Sequence, residues 1–362
     1  MPGSAQQMRI LIIKTSALGD IIHALPVLAY LQEAAPGARI DWVVEEAFQD
    51  LLKGNPAVEN LILVAFKRWK KSMLSIATFR EILGFRRALR SEKYDLVFDL
   101  QGNTKSGLLC WLARGGHKIG FSRENLQERF SALFTNQKVP FRAVDSHAVT
   151  RYLRVISAPF ELSPDNKQWQ ASIHTSAADD SYAAAVTGNS GVFPRLLFHT
   201  GTTWQTKLWH DEGWFGLGRQ VLARYQDATI FFSWGNDEER VRAEGLVNRL
   251  GSRARLMERM SLKQFVAVMK RMQLVVGGDT GPIHLAAAVG TPTVSFYRCT
   301  DGSRNGPYGA EHSIVQSPLE CTICMQKACD RDQACRESVS VAMMMDAVVA
   351  RLSGRERGCN GT

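Results

Sequence analysis

Short apolar runs alternating with helix-length stretches, once in each half of the chain, limit the possible folds more than any other feature. In the first half the runs are MRILII, ARIDWVVEE, VENLILVAF, YDLVFDLQG and HKIGF. In the second they are RLLFHTG, ATIFFSWG, RARLME, LVVGG and PTVSFY, separated by helical stretches such as NDEERVRAEGLVNRL and SLKQFVAVMKRM, the latter capped by Ser261. Apolar runs this short, set between helical patterns, are strands buried on both faces, as in a parallel sheet covered by helices. From about Glu161 to Gly191 the composition shifts to Ser, Asp, Asn, Gly and Pro around one helical patch, which reads as a connection between domains. With 362 residues, 45% of them hydrophobic, the chain can fill two cores. The expectation is an α/β protein of two domains facing across a cleft, with ligands at the C-terminal ends of the strands.

Composition narrows the function. The opening MPGSAQQ reads as a ragged polar leader rather than a secretory signal. The least charged long stretch, Leu274 to Tyr297, is broken by Gly-Gly-Asp, Gly-Pro and Thr-Pro, so it reads as strand, turn, helix and strand rather than a membrane span. The net charge is +9. Lys67, Arg68, Lys70, Lys71, Arg80, Arg86, Arg87 and Arg90 crowd one segment that holds a single acid, Glu81. That run is either a solvated helix face or a site for anions or a membrane interface. No helix-turn-helix or zinc-finger pattern accompanies it, which disfavours nucleic acid.

Four polar constellations fall at strand ends. In KTSALGDIIHALP, Asp20 and His23 share one side of a first helical turn, and the phosphate-cradling GxGxxG is missing. Asp20 is there either as a helix N-cap or as a base. HTGTTWQTKLW offers Gly201, Thr202, Thr203 and Lys207 to an anion, or is simply a polar loop. In SWGNDEER, Asp237, Glu238 and Glu239 open a helix, either for its dipole or to hold ribose hydroxyls. VVGGDTGPIHLAAAVGTP places Asp279, Thr280, Gly281, Pro282 and His284 at a helix N-terminus that suits an anion. Cys110 reads as core, whereas Cys321, Cys324, Cys329 and Cys335 form a cluster of either structural-zinc ligands or reduced thiols.

Taken together and in this order, KTSALGDIIHALP, VFDLQGNTKSG, HTGTTWQTKLW, SWGNDEER and VVGGDTGPIHLAAAVGTPTVSFY resemble the ADP-heptose:lipopolysaccharide heptosyltransferases of glycosyltransferase family 9. WVVEEAF and FDLQGNTKSGLL are most similar to the heptosyltransferase I branch, and the likeness runs from about Met8 to Ala350. The resemblance implies a GT-B fold of two Rossmann-like domains. The expected boundaries are an acceptor domain at 8–165, a connection at 166–190, an ADP-heptose domain at 191–352 whose last helix is a candidate for packing back on the first domain, and a flexible tail at 353–362.

The implied reaction is inverting transfer of L-glycero-D-manno-heptose from ADP-heptose to Kdo of Kdo2-lipid A, without a metal or other cofactor. Asp20 matches the general base and Lys207 the lysine on the donor phosphate. Thr202, Thr203, Asp279, Thr280, Gly281 and His284 match the donor signature. Glu239 matches the ribose acid, with Glu238 chosen if the alignment slips by one residue. Lys67, Arg68, Lys70, Lys71 and Arg123 look like the acceptor side. The implied setting is a monomer at the cytoplasmic face of the inner membrane of a Gram-negative bacterium, attracted to its anionic surface and not to nucleic acid. Trp204 and Gln205, where relatives often carry charged residues, and the cysteine cluster depart from the family pattern. Heptosyltransferase II is the alternative within the family. A non-catalytic Rossmann-type nucleotide- or anion-binding protein is the alternative outside it.

Overall fold

The computed structural model describes residues 7–188 and 193–359, with side chains through 353. Most of the expected polar leader and the last three residues of the expected tail lie outside the described residues, as do four residues around the end of the connection. The chain divides into two compact units, Met1–His174 and Thr175–Thr362.

Unit 1 holds strands β1 (Arg9–Ile13), β2 (Arg39–Glu45), β3 (Asn60–Val64), β4 (Tyr94–Asp99), β5 (Gly115–Phe121) and β6 (Gln137–Val139). Its helices are α1 (Leu18–Ala24), α2 (Pro26–Ala34), α3 (Phe66–Lys71), α4 (Ile76–Arg90), α5 (Thr104–Leu112) and α6 (Ala148–Ser157). Unit 2 holds β7 (Arg195–His199), β8 (Thr229–Ser233), β9 (Ala254–Leu256), β10 (Leu274–Gly278), β11 (Thr293–Tyr297) and β12 (His312–Gln316). Its helices are α7 (Ala177–Thr187), α8 (Asp211–Arg224), α9 (Asp237–Leu250), α10 (Leu262–Lys270), α11 (Gly281–Ala288), α12 (Gly302–Asn305), α13 (Asp332–Glu337) and α14 (Val341–Cys359).

Every strand pair in both sheets is parallel. The orders are β3-β2-β1-β4-β5-β6 and β12-β11-β10-β7-β8-β9. Counted within its own unit, the second order is the first over again, so each unit is a complete doubly wound Rossmann-like sheet. The order reverses between β1 and β4 in one unit and between β7 and β10 in the other. At such a switch point the following loops diverge to opposite faces and open a crevice.

Burial explains the apolar runs. Ile10 to Ile13 are wholly buried, because β1 lies between two strands with helices on both faces. One face of the first sheet packs Leu11, Ile13 and Val97 against Trp69, Phe85 and Leu109 of α3, α4 and α5. Cys110 belongs to that core. In unit 2, Phe198, Phe232 and Phe296 pack against Trp209 and Trp214, and α14 adds Met344, Val348 and Leu352.

The structure departs from the sequence expectation at a few elements. The stretch IIHALPVLAYLQEA is two helices, because Pro26 starts a new one at N1. The short edge strands β6 and β12 lack an apolar run long enough to read from sequence. The backbone of α14 stays helical through Cys359, into the segment expected as a tail. No helix among the described residues is long and apolar enough to cross a membrane.

Candidate active site

In unit 1 the loops after β1 and β4, the two switch-point strands, are tied by one side chain. Gln101 Oε1 accepts hydrogen bonds from the backbone N–H groups of Thr15 and Ser16, at 3.1 and 3.0 Å. Asp99, at the end of β4, shapes the second loop by accepting from the Gln101 and Gly102 N–H groups, both at 3.0 Å, and from Ser106 Oγ. Gly102 is required there: its φ is +70°, and a Cβ would meet Leu126 and Phe121. Burial pushes the Asp99 carboxyl up from its ordinary value in spite of those bonds.

Asp20 projects from the first turn of α1 and is exposed. The N-cap alternative is corrected: Ala17 is the cap, and Asp20 stands at N3, where its carboxylate accepts from Ala17 N–H at 3.1 Å. One oxygen suffices for that bond, so the carboxylate keeps acceptor capacity. His23 is buried against His147, with ring centroids 5.4 Å apart.

Beneath the loop lies Lys14, 2% exposed, with Nζ 4.8 Å from the centroid of the Tyr152 ring. Burial alone would lower this ammonium, but Tyr152, Asp20 and Asp99 outweigh it and hold it above its ordinary value. Neither Lys14 nor Gln101 stands out from its sequence motif as a functional residue. The available signal was that both are polar and stand at strand ends.

The basic segment forms α3. Trp69 is buried and donates from Nε1 to Glu81 at 2.9 Å, which turns Lys67, Lys70 and Lys71 to solvent. Arg68 is exposed too but is engaged by Glu46 and Glu81, at 2.9 and 2.6 Å. Arg123 is exposed in the turn after β5.

In unit 2 the loop after β7 ends in a 3-10 turn, Gln205–Lys207, that brings Lys207 Nζ to 2.6 Å from Asp279 Oδ2, in the loop after β10. His284, in the first turn of α11, places Nε2 3.6 Å from the other Asp279 oxygen. Burial pushes the Asp279 carboxyl up, but His284 and Lys207 reverse this and hold it well below the usual carboxylate range. Thr280 is the N-cap of α11, followed by Gly281 and Pro282. The N–H groups of a first turn have no partners inside the helix, so this end favours an anion. Thr202 and Thr203 lie in the same β7 loop, partly and fully exposed.

Glu239 is the acid that turns back toward the strand ends. Its Oε2 accepts from Gly235 N–H at 2.7 Å, and it lies so close to Gly201 that a Cβ there would overlap its carboxylate. Glu238 is exposed on the helix surface, and Asn236 caps α9.

The cysteine segment folds over the β7 loop. Thr206 Oγ1 donates to Gln326 O at 2.7 Å, and Lys327 Nζ sits 5.0 Å from the Trp204 ring centroid, while Lys207 lies 4.7 Å from the same centroid. Arg298, fully buried, donates to Leu208 O and to Asp332 Oδ1. Ile323 and Met325 adopt positive φ beside Cys324. Cys321 and Cys324 are exposed, Cys329 and Cys335 half-buried. Among the described residues no His, Cys, Asp or Glu group converges as a metal-ligand set.

Residues 82–334 match the family model described as glycosyltransferase family 9 (heptosyltransferase). Lipopolysaccharide heptosyltransferase 1 of Pseudomonas aeruginosa is 33% identical over 325 residues, covering 89% of this chain and 87% of that protein. The protein of the same description from Escherichia coli K12 is also 33% identical, covering 86% and 95%. The solved structure of E. coli heptosyltransferase WaaC with ADP superposes with a TM-score of 0.76 at 32% identity, covering 91% of this chain and 98% of that one. E. coli heptosyltransferase II, at 18% identity and a TM-score of 0.73, shares the fold. The family model matches most of the chain, and relatives a third identical cover nearly all of it: the chain belongs to glycosyltransferase family 9, the heptosyltransferases.

Proposed function

We infer that this protein is a heptosyltransferase of type I, moving heptose from ADP-heptose in lipopolysaccharide core synthesis, and that its acceptor is a Kdo of Kdo2-lipid A. The observation that carries the reading is the Lys207–Asp279–His284 cluster at the N-terminus of α11. The type is supported by relatives described as heptosyltransferase 1 and by WaaC structures with ADP and with ADP-2-deoxy-2-fluoro heptose, about a third identical to this chain.

In this reading Asp20 takes the proton of the acceptor hydroxyl as its oxygen bonds to the anomeric carbon, with inversion. The bond from that carbon to the phosphate oxygen breaks, and ADP leaves with the bonding pair. Lys207 and the N–H groups opening α11 stabilise the charge that gathers on the departing diphosphate. Asp279 holds Lys207 in place and, with His284, faces the heptose. Thr202, Thr203, Thr280 and Gly281 border the donor, and Glu239 holds the ribose hydroxyls. Lys67, Arg68, Lys70, Lys71 and Arg123 serve the anionic acceptor, and the protein works at the cytoplasmic face of the inner membrane.

The test offers ADP-heptose and ADP-mannose with Kdo2-lipid A and with its heptosylated product, and weighs the products by mass spectrometry. One added heptose on Kdo2-lipid A, undiminished by chelator, is expected. Transfer confined to the heptosylated acceptor would refute type I and leave type II.

A further inference from the structure

The turn between α3 and α4 and the outer face of α4 carry large apolar side chains that no part of unit 1 covers. Met73, Leu74, Ile76 and Phe79 are 72%, 102%, 73% and 61% exposed. They are not an ill-packed edge of the core. At 100° per residue α4 turns Thr78, Phe85 and Leu89 inward, where all three are buried, while Ile76 falls opposite Phe85 and Phe79 on the flank beside it. That outer face also carries Arg80 and Arg87, both exposed, and no acid. The one acid of the helix, Glu81, is held by Arg68 and Trp69. Trp111 on the neighbouring α5 adds a further side chain 61% exposed.

An apolar patch rimmed by cations suits one environment best. Its side chains leave water by entering the acyl boundary of a bilayer, while the arginines stay at the level of anionic headgroups. We propose that Met73, Leu74, Ile76 and Phe79 form a wedge that inserts into the surface of a bilayer containing anionic phospholipid, with Arg80 and Arg87 on its phosphates. The wedge directly follows α3, so the exposed lysines of α3 stand over the headgroups. This rests on the reading of the substrate as a lipid-linked sugar, and it adds to charge attraction an apolar component that salt does not screen.

The test is sedimentation of the full chain with phosphatidylcholine vesicles, with and without phosphatidylglycerol, at low and high salt. The wild-type protein is expected to bind the anionic vesicles and to keep part of that binding at high salt. Leu74→Ser with Phe79→Ser should lower partitioning roughly 100-fold, since each removes a side chain worth about a factor of ten on burial. The salt-resistant part should vanish. Met73→Ser with Ile76→Ser should act the same way, and neither pair should change the melting temperature or the rate of transfer to an acceptor stripped of its acyl chains. Wild-type sedimentation of both double variants would overturn the wedge, as would an equal loss of transfer to the stripped acceptor. Wedge-dependent vesicle binding by a protein that transfers heptose to neither acceptor would support the wedge and refute the enzyme reading instead.

Discussion

Asp20 accepts a local hydrogen bond from Ala17 N–H, is exposed, and adds its charge to those that favour the buried Lys14 ammonium. Asparagine at N3 accepts that bond equally well, so Asp20→Asn separates chemistry from stability. The expected outcome is a rate lowered by roughly 10² to 10⁴, the scale of general-base loss, with unchanged ADP affinity and a melting temperature altered only through the lost charge near Lys14. Near-normal turnover would remove the base assignment. Gly201 gives a second single-residue test. A Cβ there would displace the Glu239 carboxylate, which is the free end of a flexible side chain. Gly201→Ala should therefore fold normally yet bind ADP more weakly. Calorimetric titration of ADP beside a thermal melt checks both halves, and undiminished affinity would argue against Glu239 on the ribose.

At the scale of elements, the segment 318–336 acts through Arg298. Its guanidinium, without exposure to water, bridges Leu208 O, which follows Lys207, and Asp332 of α13. Its carbonyl accepts from Thr322 Oγ1 at 2.8 Å. Removing one partner of such a buried pair strands the others, which costs about 3 kcal/mol. Arg298→Ala should lose about that much in a denaturant melt and also weaken ADP binding, because the β7 loop loses its anchor. Lysine cannot reproduce the two-pronged contact, so Arg298→Lys should recover only part of either loss. Full stability in the alanine variant would contradict this account of the segment. One cap was legible from the sequence, since Ser261 accepts from Gln264 N–H at 3.2 Å before an apolar periodic stretch, whereas Asp20 stands at N3 behind the cap Ala17. The role of Arg298 was not legible, because its partners lie 90 and 34 residues away.

For unit 2 as a whole, acid should be destabilising well before its carboxylates titrate. Burial pushes His199, at the end of β7, down to about 4, although the Ser233 hydrogen bond pulls the other way. His312 on β12 is also pushed to about 4, again chiefly by burial, with Glu311 opposing. The unfolded chain takes up a proton near the ordinary value of 6.5, and the folded histidine does so only near 4. The stabilisation is therefore complete above pH 6.5 and is lost as pH falls toward 4, by at most about 3 kcal/mol for His199. Thermal melts across that range should show a falling midpoint, and His199→Asn should flatten the slope. A slope unchanged by the substitution would rule out His199 as its source.

The apolar runs, the caps and the motifs at strand ends were determined by the sequence itself. Period and polarity are local properties, and a strand buried on both faces has to read as an unbroken apolar run. The strand order was decided only in three dimensions. Nothing in MRILII or LVVGG says that β1 pairs with β4 or β10 with β7, yet those pairings create the switch points where the candidate residues gather. The same holds for Lys14 beneath Tyr152, for Glu239 against Gly201, and for the exposed face of α4. In each case the meaning of a residue depends on what packs beside it. A stretch such as ATFREILGFRRALR shows a helix with apolar side chains on more than one side, and only tertiary packing chooses which of them the core covers.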